Sequence, residues 1–160
     1  MKLISRGLEI CLLCMFVAGC GGGNDNSPAP SHGHVHSAPH GGTLTELGNH
    51  SFTLEFLLDA RLGSLSVYIL GPHAERFIRI QEESLHVNLT SAGETHDLHL
   101  GAIANELTNE REGDTSHFSG SLDWLKGKNL ISGVMRSVEI QGVVYEEVSF
   151  DLGGNREHDH

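Results

Sequence analysis

From Thr43 onward, apolar and polar residues alternate with a period of two. Phe52, Leu54, Phe56 and Leu58 alternate with Thr53, Glu55 and Leu57, and Leu65, Val67 and Ile69 alternate with Ser64, Ser66 and Tyr68. Successive side chains of a strand point to opposite faces, so each run predicts a strand with one face in a core. Residues 59–63 between them suit a hairpin loop. Leu85, Val87 and Leu89 alternate with His86 and Asn88, and His96, Leu98 and Leu100 alternate with Asp97 and His99. Residues 131–140 and 143–150 flank Gln141-Gly142, a tight-turn dipeptide. Residues 76–80 add a short strand candidate. Residues 105–116 are polar and patternless, which predicts a long loop. Residues 121–126 predict one helical turn, capped by Ser121 and stopped by Gly127. The pattern is that of a mainly β chain. It predicts a single antiparallel β-sandwich, or a partly open barrel, of about seven to nine short strands with at most one short helix. This domain is expected over residues 40–152, followed by a solvated tail at residues 153–160.

Upstream of residue 40 the alternation is absent. Lys2 and Arg6 precede an apolar run over residues 10–17, and the small residues Ala18 and Gly19 then precede Cys20. Positive start, apolar core and small residues are the three parts of a cleaved export signal. The run falls well short of the ~20 apolar residues that span a bilayer. Val17-Ala18-Gly19-Cys20 resembles the bacterial lipobox, which implies removal of residues 1–19 and acylation of Cys20. Several acyl chains anchor a protein stably where one does so only marginally. The resemblance therefore implies a lipoprotein of the bacterial cell envelope facing away from the cytoplasm. It would sit on the periplasmic face of the inner or outer membrane, or at the cell surface. Residues 20–39 carry Gly21-Gly22-Gly23 and Pro28, Pro30 and Pro39. Such a composition cannot bury a core, and it reads as a flexible tether.

Charge and cysteine usage narrow the possible partners. The chain has 10 Lys and Arg against 21 Asp and Glu, a net charge of −11 with histidine neutral. Loss of residues 1–19 removes Lys2, Arg6 and Glu9 and takes this to −12. Nucleic acid is excluded as a partner, because its phosphates require a basic surface. Electrostatic docking on anionic lipid is disfavoured for the same reason, whereas cations are attracted. Cys11 and Cys14 leave with the signal and Cys20 becomes a thioether. The remaining domain then has neither thiol nor disulfide, so an apolar core alone must hold it.

All 12 histidines lie beyond residue 20. His32-Gly33-His34-Val35-His36, then His40-Gly41-Gly42, places four imidazoles within nine residues. Neutral imidazole suits zinc, copper(II) and nickel. A glycine-containing segment can fold tightly enough to bring several onto one ion. His32, His34, His36 and His40 are the candidate ligands, and His158 and His160 in the tail form a weaker second set. Asp25, Glu157 and Asp159 could add oxygen ligands. The same run reads equally as a solvated, histidine-rich linker whose metal affinity is incidental. His50 would approach His40 if the segments around them pair. His96 and His99, three apart on a strand, fall on opposite faces. His86, His73 and His117 read as surface, turn and loop positions. No nucleophile elbow, H-E-x-x-H, S-x-x-K or glycine-rich phosphate loop is present, so no reaction is expected.

Pro39-His40-Gly41-Gly42-Thr43-Leu44 resembles the opening strand of a family of small bacterial extracytoplasmic lipoproteins with a His-rich tether. It is also similar to the H-G-G opening of periplasmic modules associated with heavy-metal efflux adaptors. Ser66-Val67-Tyr68-Ile69-Leu70-Gly71, Leu85-His86-Val87-Asn88-Leu89, Ser116-His117-Phe118 ahead of a short helix, and Gly142-Val143-Val144-Tyr145 extend the likeness over residues 39–150. The chain departs from that pattern at Gly71-Pro72-His73. The resemblance implies a β-rich envelope domain linked to metal handling, with His40 as the one position carried over. Two functions are expected from these readings. One is a membrane-anchored metal-binding or metal-handling module. The alternative is a structural or interaction lipoprotein that docks another envelope protein and has no physiological metal.

Overall fold

A computed structural model describes residues 37–153. The alternating runs form eight strands: β1 (Thr43–Leu47), β2 (Phe52–Asp59), β3 (Ser64–Leu70), β4 (Ser84–Ser91), β5 (Glu94–Ala102), β6 (His117–Ser121), β7 (Ile131–Ile140) and β8 (Val143–Leu152). They make one antiparallel sheet in the order β1-β2-β3-β6-β5-β4-β7-β8. The sheet curls until its two edges approach. Phe56 of β2 stacks on Phe150 of β8 with ring centroids 3.8 Å apart, and Phe52 meets the edge of Tyr145. The result is a nearly closed barrel. The mainly β, antiparallel architecture is as expected, and of the two forms named the chain takes the barrel.

The core lies inside, where alternation puts it. Leu54, Leu65, Val67, Ile69, Leu89, Leu100, Phe118 and Met135 are fully buried. The hairpin at Gln141-Gly142 has positive φ at both residues (52° and 81°), the backbone of a two-residue type I′ turn. Its twist matches that of the flanking strands, which is why β7 and β8 can run ten residues each in register.

Three local expectations are corrected. Residues 76–80 form no strand. Phe77 and Ile80 make only isolated bridges, to Leu70 and Thr115. Strand β6, hidden in a stretch of Ser and Gly, was expected only as the lead into a helix. It enters the sheet because Phe118 fills the core between β3 and β5. The helical turn is a single 3-10 turn, Asp123–Leu125, preceded by Leu122 rather than capped by Ser121. Buried Leu125 fixes that turn against the core, so packing rather than a cap decides it.

Candidate functional site

Glu55 lies amid the apolar residues of β2, whose other acid, Asp59, ends the strand, and its side chain is wholly buried. It stands on the outer face of β2, opposite the core. What covers it is the segment leading into β1. The backbone N–H of His40 and that of Gly42 both donate to Oε1, at 2.7 and 3.0 Å. The His40 ring meets Oε2 through Nδ1 at 2.8 Å. A buried carboxylate must be hydrogen-bonded to be tolerated, and this turn satisfies it on both oxygens.

The Pro39-His40-Gly41-Gly42 motif is thereby explained chemically. The Gly41 N–H closes the turn on the Ala38 carbonyl, and its φ of 77° suits glycine. At Gly42 a Cβ would stand 2.4 Å from the Phe56 carbonyl oxygen, so only glycine lets the backbone come close enough to reach Glu55.

With the carboxylate accepting, Nδ1 of His40 carries the proton, and in the neutral ring Nε2 keeps its lone pair. This carboxylate–imidazole pairing is the outer-shell arrangement that orients histidines for metal ligation. The His40 side chain retains 33% of its exposure.

Register builds the rest of the site. Glu55 lies opposite Tyr68, and Tyr68 opposite His117, so one row crosses β2, β3 and β6. The His40 and His117 rings each stack on Tyr68, with centroids 3.8 and 4.2 Å away and planes within 16° and 12°. Two rings cannot occupy one face at such distances, so Tyr68 is sandwiched between them. The two imidazoles are therefore roughly 8 Å apart, too far to share one ion at metal–nitrogen distances of about 2.0–2.1 Å.

This ladder forms one wall of a cavity of about 400 Å³, whose lining also includes Phe77, Arg79, Asn105, Thr108, Glu110 and Ser116. Glu110 has a side chain only 7% exposed. It accepts from the backbone and hydroxyl of Ser116 at 3.0 and 2.7 Å, and from the Thr108 hydroxyl at 2.7 Å. Burial alone would raise its pKa. The Ser116 and Thr108 hydrogen bonds, with Arg79 nearby, outweigh that and hold it below the ordinary glutamate value. Arg79 donates to the carbonyls of Thr108 and Asn109 and lies 3.7 Å from Glu110 and 3.5 Å from Asp114.

His117 is the unsatisfied member. Its Nε2 is buried without a hydrogen-bond partner among the described residues. Burial first, then the neighbouring His40, lowers its pKa below the usual histidine value, partly offset by Glu110. Burial, then the Glu55 charge, raises the Tyr68 phenol.

Of the expected ligands, His40 alone lies within the described residues. Cys20, His32, His34, His36, His158 and His160 lie outside them. Among the described residues no group of three or more His, Cys, Asp or Glu converges to hold a metal. His50 does not approach His40. β1 and β2 do pair, but as a hairpin whose turn carries His50 to the far end, where it meets Glu46 at 2.7 Å. Sequence reasoning missed Glu55, Tyr68, Glu110 and the role of His117. The available signal was Glu55, an acid in an apolar strand downstream of an H-G-G turn. No family model matches the chain, and no curated protein or solved structure is found similar to it.

Proposed function

We propose that the chain is a lipid-anchored extracytoplasmic module that binds zinc, copper(II) or nickel through its histidine segment. The observation that carries this reading is the Glu55–His40 clamp. His40 follows the H-x-H-x-H run, four residues after His36. A wholly buried carboxylate holds its Nδ1 at 2.8 Å, which leaves Nε2 as the metal-competent nitrogen. The clamp supplies one oriented imidazole, and His32, His34 and His36, starting four residues upstream, supply the others. Acidic composition supports cation capture, and acylation of Cys20 would hold the module at the membrane.

Calorimetric titration of the lipidated chain in detergent with Zn²⁺, Cu²⁺ and Ni²⁺ tests the reading. The tightest binding should be lost when His32, His34 and His36 are replaced by Ala, and should weaken in Glu55→Gln, which loosens the clamp. Unchanged affinity in the triple variant overturns it. Binding should also fall below about pH 6, because the ligands must be deprotonated.

A second reading, an interaction lipoprotein, is favoured by one observation. Phe77 and Leu107 are large apolar residues left exposed, 51% and 98%, in and beside the cavity lining. Cross-linking to an envelope protein that persists in chelator and is abolished by Leu107→Asp would support it.

A further inference from the structure

A second arrangement of imidazoles lies on the outer wall of the barrel, among residues that do not line the cavity. Strands β4 and β5 are joined by Ala92-Gly93, whose φ values of 51° and 83° again make a two-residue turn. That turn fixes the register: Leu85 opposite Leu100, His86 opposite His99, Val87 opposite Leu98. Leu85, Val87, Leu98 and Leu100 are buried in the core. Period two then places His86 and His99 together on the outside. Cβ atoms of directly opposed residues are about 4.5–5.5 Å apart, and the two rings have centroids 3.8 Å apart, inclined at 54°. Rings this close and this far from parallel converge at an edge rather than stack.

The neighbours leave the pair free to bind. On one side the next outward pair is Asn88 and Asp97, and both are held by Arg136, at 3.1 and 2.9 Å. That ion pair engages Asp97 with a fixed cation. On the other side Gly101 faces Ser84 and presents no side chain to block approach. Among the described residues neither His86 nor His99 is hydrogen-bonded or ion-paired through its ring.

We propose that His86 and His99 form a two-imidazole surface site for a divalent transition-metal ion of the copper, nickel or zinc class, with water completing the coordination. Imidazole nitrogen selects these ions over calcium and magnesium. Nitrogens bound at about 2.0–2.1 Å to one tetrahedral ion are about 3.3 Å apart, a separation that opposed strand residues can reach by side-chain rotation. Two protein ligands leave open positions, so the ion is exchangeable. The site does not depend on the tether histidines, and it stands whether or not they bind metal.

The test starts from the lipidated chain in detergent with His32, His34, His36, His158 and His160 replaced by Ala. His40 is retained to keep the Glu55 clamp. Titration with Cu²⁺, read by calorimetry and electron paramagnetic resonance, should give one bound ion with the nitrogen splitting of two imidazoles. His86→Ala and His99→Asn should each lower the affinity roughly tenfold or more and reduce the splitting to one imidazole or none, with the circular dichroism unchanged. If either substitution leaves affinity and spectrum as they were, or if the parent shows no two-imidazole signal, the proposal is overturned. Loss of the tether site is read separately, as a difference between the wild-type chain and this parent.

Discussion

Strand β2 is buried on both faces, and the two burials differ in kind. Inside the barrel, Leu54 and Phe56 are covered by other apolar side chains, and Phe56 lies flat on Phe150. Outside, Glu55 is covered by a backbone turn that points two N–H groups and an imidazole at it. Apolar burial is non-directional and scales with area. Carboxylate burial depends on a few fixed donors, and it fails when any one is withdrawn. The inner face therefore carries the stability of the fold, while the outer face carries the placement of His40.

The largest expected effect breaks the inner face. Phe56→Ala should cost about 3–5 kcal/mol in urea denaturation, because it opens a cavity beside Phe150. Its smaller core should leave the His40 imidazole signal in place wherever the chain still folds. The outer face should respond the other way. Glu55→Ala should cost about 1–3 kcal/mol by stranding the turn donors, and it should free the His40 ring, seen as rapid exchange of its Nδ1 proton by NMR. Gly42→Ala should cost a similar amount, about 1–3 kcal/mol, since its Cβ collides with the Phe56 carbonyl. Combined with Glu55→Ala it should cost less than the sum, because both break the same clamp.

The smallest effect is in pH. Burial, chiefly, lowers the pKa of His117 in the fold. The unfolded chain then binds the proton first, so stability is complete at neutral pH and declines as pH falls through the unfolded value of about 6.5. Glu110 has a lowered pKa, so its contribution is present above the unfolded glutamate value and is lost as pH falls through its folded one. Acid denaturation should thus begin near pH 6.5 and steepen in the carboxylate range. His117→Phe should remove the first decline while leaving the second, which a series of urea melts from pH 7.5 to 3.5 would resolve.

The inner face was legible in the sequence because alternation encodes it. Residues 131–140 read as a strand and are β7 to the residue, and the Gln141-Gly142 turn is where it was expected. Strand β6 was not legible. Ser119, Gly120 and Ser121 carry no apolar signal, and Phe118 alone commits the segment to the core. The outer-face site was legible only in part. His40 stood out by its spacing. Its partner Glu55 lies 15 residues away, and its stacking partners Tyr68 and His117 become neighbours only through the β2–β3–β6 register. The same holds for His86 and His99. Thirteen positions separate them along the chain, and a two-residue turn makes them opposed. Periodicity reports which face a residue takes, but not which residues a hairpin will set against one another.

The role proposed for this domain is to present histidines to a divalent transition metal. Elemental analysis of the full chain, purified from its native cells without an affinity tag or chelator, tests it most directly. The wild type should carry about one equivalent of zinc, copper or nickel per chain, falling sharply when His32, His34 and His36 are replaced by Ala. A wild-type chain that carries no more metal than that variant would contradict it.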